Sequence, residues 1–266
     1  MQGRTFAIGD IHGEIGHLRT LLERMGPFDE DDTLVFLGDY VDRGPHSRQV
    51  IEFIRHELPE TGVRIVALRG NHEDAWLRVI DEGWDGFVLP PSNGCLACLR
   101  SYTGGPVAPP HDYPRSETEW EHLIQGTFFP RDVIDWMRSL PYWYEDDHAI
   151  YVHAGLPQIS GGFPHPSDVQ KRSSLLWTRT REFFQGYRGK TCIVGHTVTS
   201  LLPPELSHHA PRKDDDLWVG EQVIAIDTGC GKGGFLTAIE LPELFVWESR
   251  EPLRHQRAQR WFATPP

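Results

Sequence analysis

The chain has 266 residues, a formal net charge of −12, 39% apolar residues and 21 prolines. This fits one large α/β domain, or two small ones, with substantial loops. The acidic balance argues against a general nucleic-acid binder, which carries a basic face. No apolar run approaches the roughly 18 residues of a membrane helix, so no membrane partner is expected.

The first strand-like run, Thr5-Phe6-Ala7-Ile8, starts almost at Met1 and leaves no space for a charged and then apolar leader. A cytoplasmic location is the expectation. Cys95, Cys98, Cys192 and Cys230 fit a reduced protein. The single Cys95-x-x-Cys98 has no second pair, so ordinary thiols are expected rather than a zinc or redox site.

In chain order, helical spacing over 14–25 follows the first strand and stops at Gly26-Pro27. A second strand is predicted over 33–37, a helix over 47–58, a third strand over 63–68 and a helix over 74–80. The first 80 residues thus read β-loop-α three times, which predicts parallel pairing with right-handed crossovers. Residues 87–127 hold six prolines and no clear period. They read as a surface excursion or lid with short helical pieces at 96–102 and 117–124. A helix is predicted over 131–140 and another near 179–185. Strands are predicted at 142–145, 149–152, 191–194, 223–226, 235–240 and 244–247. Short turns between the last three suggest an antiparallel meander. Residues 1–249 read as one domain, and 250–266 as a polar tail. His208, His209 and the run Lys213 to Asp216 read as a solvated loop.

Several predicted strand ends carry Asp, His or Asn beside glycine. These are Gly9-Asp10-x-His12-Gly13, Gly38-Asp39-x-x-Asp42-Arg43-Gly44, Gly70-Asn71-His72-Glu73, His153-Ala154-Gly155 and Gly195-His196-Thr197. Twenty-four residues separate Gly13 from Gly38, and twenty-five separate Gly44 from Gly70. Each gap is one helix plus one strand, so the loops should land side by side at the carboxyl edge of a sheet, where ligands bind.

Mixed Asp and His donors suit Mn²⁺, Fe or Zn²⁺ better than Mg²⁺ alone. Asp10, His12, Asp39, Asn71, His153 and His196 are too many for one ion and enough for two, if Asp39 bridges. Such a pair can share a hydroxide and clamp an in-line displacement at phosphorus. Arg43 and Arg179 could hold phosphoryl oxygens bidentately. His72 is the candidate general acid for a leaving alkoxide, oriented by Asp42. A Gly-Asp strand end alone is common; the even spacing of three such loops carries the reading.

The blocks Gly-Asp-x-His-Gly, Gly-Asp-x-Val-Asp-Arg-Gly and Gly-Asn-His-Glu resemble the signature of the metal-dependent phosphoprotein phosphatases. His153-Ala154-Gly155, Gly195-His196-Thr197 and Leu175-Leu176-Trp177-Thr178-Arg179 look like that family's downstream blocks. The ending Asp227-Thr228-Gly229 with Gly233-Gly234 looks like its bacterial and phage branch. The resemblance implies a calcineurin-like α/β fold with two mixed β-sheets in a sandwich flanked by helices. It implies Asp10, His12 and Asp39 on one metal, and Asp39, Asn71, His153 and His196 on the other, with Mn²⁺ expected. It places Arg43, Arg69, Arg179 and Asn71 near the phosphate and the Asp42–His72 pair as acid. A serine/threonine protein phosphatase acting on a phosphorylated protein or peptide is the leading expectation. The alternative is a hydrolase of symmetric dinucleoside tetraphosphates or other small phosphoesters on the same site. A catalytically dead binding module would lack a ligand or the acid, and neither is missing.

Overall fold

The computed structural model describes residues 3–209 and 216–250. Three short apolar strands, β1 (Thr5–Ile8), β2 (Thr33–Phe36) and β3 (Arg64–Ala67), alternate with α1 (Ile15–Met25) and α2 (Ser47–Glu52). The helical path of α2 continues as a π-turn over Phe53–Glu57 and a 3₁₀ turn over Leu58–Thr61, so the expected helix over 47–58 is one path of three helix types. The next helix, α3 (Asn71–Glu82), starts three residues before the expected 74. The Glu73 side chain accepts the Gly70 N–H at 3.0 Å and pulls the Asn71 and His72 positions into the first turn.

Residues 87–127, expected as a surface excursion, carry α4 (Cys95–Thr103) and α5 (Glu117–Gln125). Cys95 through Arg100 are buried, and Leu96, Cys98, Leu99 and Leu123 pack into the main core. This segment is therefore part of the core at α4, and its exposed stretches lie around 89–92, over 103–116 and along much of α5. After α6 (Arg131–Ser139) come β4 (Trp143–Glu145), β5 (Ile150–Val152), α7 (Ser174–Trp177), α8 (Arg181–Gly186) and β6 (Cys192–Val194). The chain ends in β7 (Trp218–Val219), β8 (Val223–Ala225), β9 (Thr237–Leu241) and β10 (Phe245–Glu248).

Two five-stranded sheets result, in the orders β10-β9-β1-β2-β3 and β4-β5-β6-β8-β7. β1, β2 and β3 are parallel, as are β5, β6 and β8. The outer strands β4 and β7 run antiparallel to their inner neighbours, and β9 pairs antiparallel with both β1 and the edge strand β10, so both sheets are mixed. The expected meander of the last three strands is corrected: β9 and β10 form a hairpin, but β8 lies in the other sheet beside β6.

Side chains alternate across the strands as the pleat requires. Ala7, Val35, Tyr151, Ile193, Ile224 and Ile239 meet between the sheets. Phe6, Ile8, Leu34 and Phe36 face α1 through α6 on one outside, and Val152, Val194 and Ala225 face α7 and α8 on the other. The result is the expected sandwich flanked by helices, with the carboxyl ends of six parallel strands as its functional edge. Among the described residues no helix is long and apolar enough to cross a membrane. Residues 251–266 of the expected tail, and Lys213, Asp214 and Asp215 of the expected loop, lie outside the described residues.

Candidate metal centre and active site

Each loop after β1, β2, β3, β5 and β6 delivers polar side chains to one buried cluster. His12, Asp39, Asp42, Arg43 and His196 all hold positive φ, between 49° and 71°. Five non-glycine residues in that sparsely populated region mark backbone strain held by surrounding contacts. Gly38, at φ 107°, shows why glycine frames these loops: a Cβ there would lie 2.5 Å from Gly70 N.

Asp39 sits at the centre. Its Oδ2 lies 3.4 Å from His12 Nε2, and its Oδ1 lies 3.5 Å from His153 Nε2. On the second side, Asn71 Oδ1 is 2.9 Å from His153 Nε2 and 2.7 Å from His196 Nδ1. On the first side, Asp10 Oδ2 is 3.9 Å from His12 Nε2, and both Asp10 oxygens accept the His196 backbone N–H at 3.1 Å. All six residues expected as ligands are brought together and buried.

The donors are prepared for cations. His12 Nδ1 donates to Val41 O and His153 Nδ1 to Leu37 O, both at 2.9 Å. Each ring therefore turns an unprotonated Nε2 inward. Burial holds His12 and His196 well below their ordinary pKa, in the neutral form that ligates. Burial, then Asp227 and Asp39, pushes Asp10 well above the carboxylate range, and burial raises Asp227 too. Asp227 follows β8, and its Oδ2 is buried without a hydrogen-bond partner. Crowded buried carboxylates beside neutral imidazoles are what a pair of divalent cations would neutralise, so the residues fit a dinuclear site.

A second relay borders the first. His72 Nδ1 lies 2.6 Å from Asp42 Oδ2, and the Trp76 indole N–H donates to both Asp42 oxygens at 2.9 and 3.1 Å. Burial pushes Asp42 up to about 8 and His72 well down, so the pair resists separating its charges. His72 Nε2 opens toward Asp39 Oδ2, at 3.8 Å. Arg43 donates to His72 Nε2 at 3.1 Å and closely to His12 Nε2, and Arg179 Nε donates to His196 Nε2 at 2.7 Å. Both arginines thus face the cluster.

Arg69 is engaged elsewhere. Its terminal nitrogens donate to Tyr142 OH at 2.8 Å and to Arg138 O at 2.6 Å, and it lies 3.6 Å from Asp74. These contacts tie the end of β3, through Arg69, to α6 and to the residue before β4. Sequence reasoning missed Trp76, Asp227 and Lys232. Asp227 had a weaker signal, an acid just past a predicted strand and two residues before Gly229. Lys232 lies in a Gly-rich turn within electrostatic reach of Arg43, Asp227, Asp10 and Arg179. Cys95 and Cys98 are free and buried, with Cys95 against Asp42; neither falls in a metal-suited cluster among the described residues.

Residues 3–200 match the calcineurin-like phosphoesterase family. The chain belongs to that family. This metallophosphoesterase is 27% identical, over 92% of its length and 94% of the relative's, to the asymmetrical bis(5'-nucleosyl)-tetraphosphatase PrpE of Halalkalibacterium halodurans. It is 25% identical, over 89% of its length and 94% of the relative's, to the symmetrical bis(5'-nucleosyl)-tetraphosphatase of Chromohalobacter salexigens. Among solved structures it resembles a candidate diadenosine tetraphosphatase, at TM-score 0.57 and 20% identity over 93% of both chains. It also resembles a cold-active protein tyrosine phosphatase, at TM-score 0.54 and 21% identity over 92% of this chain and 76% of the other. The two structural likenesses speak to the metallophosphoesterase fold alone.

Proposed function

We propose that this metallophosphoesterase hydrolyses dinucleoside tetraphosphates at a dinuclear centre. The observation that carries the chemistry is Asp39, whose two oxygens face two different histidines. Asp10, His12 and Asp39 would hold one ion; Asp39, Asn71, His153 and His196 would hold the other. Two divalent ions there, Mn²⁺ by expectation, would supply a nucleophile from water near neutral pH and a Lewis acid at the phosphoryl oxygens.

The remaining work falls to the chain. Arg43 and Arg179 neutralise and orient phosphoryl oxygens, and Lys232 adds charge for a longer phosphate chain. Asp42, fixed by Trp76, holds the His72 ring by Nδ1. A proton taken up on Nε2 when substrate phosphate draws Arg43 away would make the imidazolium that passes it to the departing oxygen. The burial of the whole cluster excludes bulk water and strengthens each of these interactions.

The substrate reading is supported by relatives of matching length, which carry tetraphosphatase names. It reverses the order expected from the motifs, where a protein phosphatase came first. The protein phosphatase remains the second reading on one observation. The intact Val41-Asp42-Arg43-Gly44 block is locked by Glu73, which accepts Tyr40 N–H at 2.8 Å and Val41 N–H at 3.3 Å.

The test is turnover by metal-stripped protein resupplied with Mn²⁺. Diadenosine tetraphosphate is compared with phosphoserine, phosphothreonine and phosphotyrosine peptides, with Asp39→Asn as blank. A hundredfold preference for the dinucleotide is the expected result. Preference for peptides would move the assignment to the protein phosphatase, and no turnover of either with metal bound would refute both.

A further inference from the structure

A recess of about 500 Å³ opens beside the metal centre, within the roughly 300–1,000 Å³ of small-molecule sites. Its walls come from the Pro-rich segment: Pro91, Leu96, Ala97, Ala108, Pro109 and Pro110. Its inner end is different in kind, being made by Arg43 and the Gly231-Lys232-Gly233 turn. Resting on the tetraphosphatase reading, we infer that this recess binds one nucleoside of the substrate, with its phosphate chain leaving over Lys232 and Arg43 toward the metals.

Three observations carry this. First, the recess is continuous with the catalytic loop. Arg43 N–H donates to Gly94 O at 3.1 Å, and Gly231 packs so closely on His12 and Arg43 that a Cβ would lie 2.6 Å from His12 Cβ. Second, the cations are confined to the inner end. Lys232 and Arg43 line that end together, and an anion between two like charges would relieve their repulsion. Third, the outer wall is anchored. The buried Arg100 guanidinium donates to Glu119 at 2.8 Å and to Asp112 at 2.7 Å, which pins the loop bearing Ala108 and Pro109. Apolar prolyl walls, polar edges at Ser92, His111 and the Arg100-paired Asp112, and cations at one end match an apolar base joined to a polyanion. A phosphopeptide would leave most of the apolar wall unused.

The test compares wild type with Ala108→Trp, which fills the recess. The full chain is loaded with Mn²⁺ and given diadenosine tetraphosphate or inorganic tripolyphosphate, which has the same anhydride and no nucleoside. The ratio of the two kcat/KM values should fall about tenfold or more. Binding of adenosine 5'-monophosphate, read by calorimetry, should weaken by a similar factor. General damage to the fold would lower both turnovers and leave their ratio unchanged; Ala97→Leu, which fills the same space from α4, should then reproduce the shift in ratio and binding. Unchanged ratio and binding in both variants would overturn the inference while leaving the tetraphosphatase reading intact. If wild type prefers phosphopeptides yet loses adenosine 5'-monophosphate binding in Ala108→Trp, the recess stands and the substrate reading falls. Loss of peptide turnover alone, with nucleotide binding intact, would make the recess a peptide site and overturn the inference.

Discussion

The Glu73 carboxylate accepts the backbone N–H of Asp39 at 3.0 Å. The same carboxylate accepts Tyr40, Val41 and Gly70 N–H groups at 2.8 to 3.3 Å. One side chain on α3 therefore fixes the backbone of the loop whose aspartate faces both halves of the centre. Burial and the Asp39 charge push Glu73 up to about 8, against the pull of these donors. Glu73→Gln keeps the shape but turns an amide N–H₂ toward backbone donors. It should cost about 1–3 kcal/mol in urea unfolding and about 10–100-fold in Mn²⁺ affinity. Unchanged Mn²⁺ affinity would show that Asp39 does not depend on this carboxylate.

Asp42 and His72 matter only as far as the leaving group needs a proton. Asp42→Asn removes the carboxylate that His72 Nδ1 and Trp76 share. Turnover of a phosphoserine peptide, which releases an alkoxide, should fall by about 10²–10⁴. Diadenosine tetraphosphate releases a nucleotide phosphate, a far better leaving group, and should lose much less. Equal losses on both substrates would assign the pair to positioning rather than proton transfer.

Much of this centre is legible in the sequence because each ligand stands within two residues of a glycine at a strand end. The spacing of one helix plus one strand then forces the loops together. The sheet membership of β8 was not legible. Its run Val223-Ile224-Ala225 is buried on both faces, and the turn after it reads the same whether the chain makes a hairpin or crosses to the other sheet. The partners of Arg69 were hidden for a related reason. It precedes Gly70 in sequence, but its direction is set by Tyr142 and Arg138, some seventy positions later. Trp76 was hidden because an indole one turn into a helix reads as core, and only the fold shows its N–H meeting Asp42.

Arg100 makes the outer wall of the Pro-rich segment sensitive to acid. Its hydrogen bonds hold Glu119 and Asp112 below the usual carboxylate range. Groups depressed in the folded state contribute stability above their unfolded pKa, near 4, and lose it as pH falls through the lower folded values. Arg100→Gln should therefore lower Tm by a few degrees at pH 7. The gap to wild type should narrow only below about pH 4, and this is read by thermal melts from pH 7 to 2.5. A gap that stays constant down to pH 2.5 would place the effect in packing rather than in these ion pairs.

The central claim is that Asp39 joins two ions in one catalytic unit. The most direct measurement follows activity on diadenosine tetraphosphate and bound metal together as Mn²⁺ is added to stripped wild-type protein and to Asp39→Asn. Wild type should reach full activity only at about two ions per chain, and Asp39→Asn should lose binding at both positions and turnover by about a thousandfold or more. Full activity at one ion per chain, or near-normal turnover in Asp39→Asn, would contradict the account.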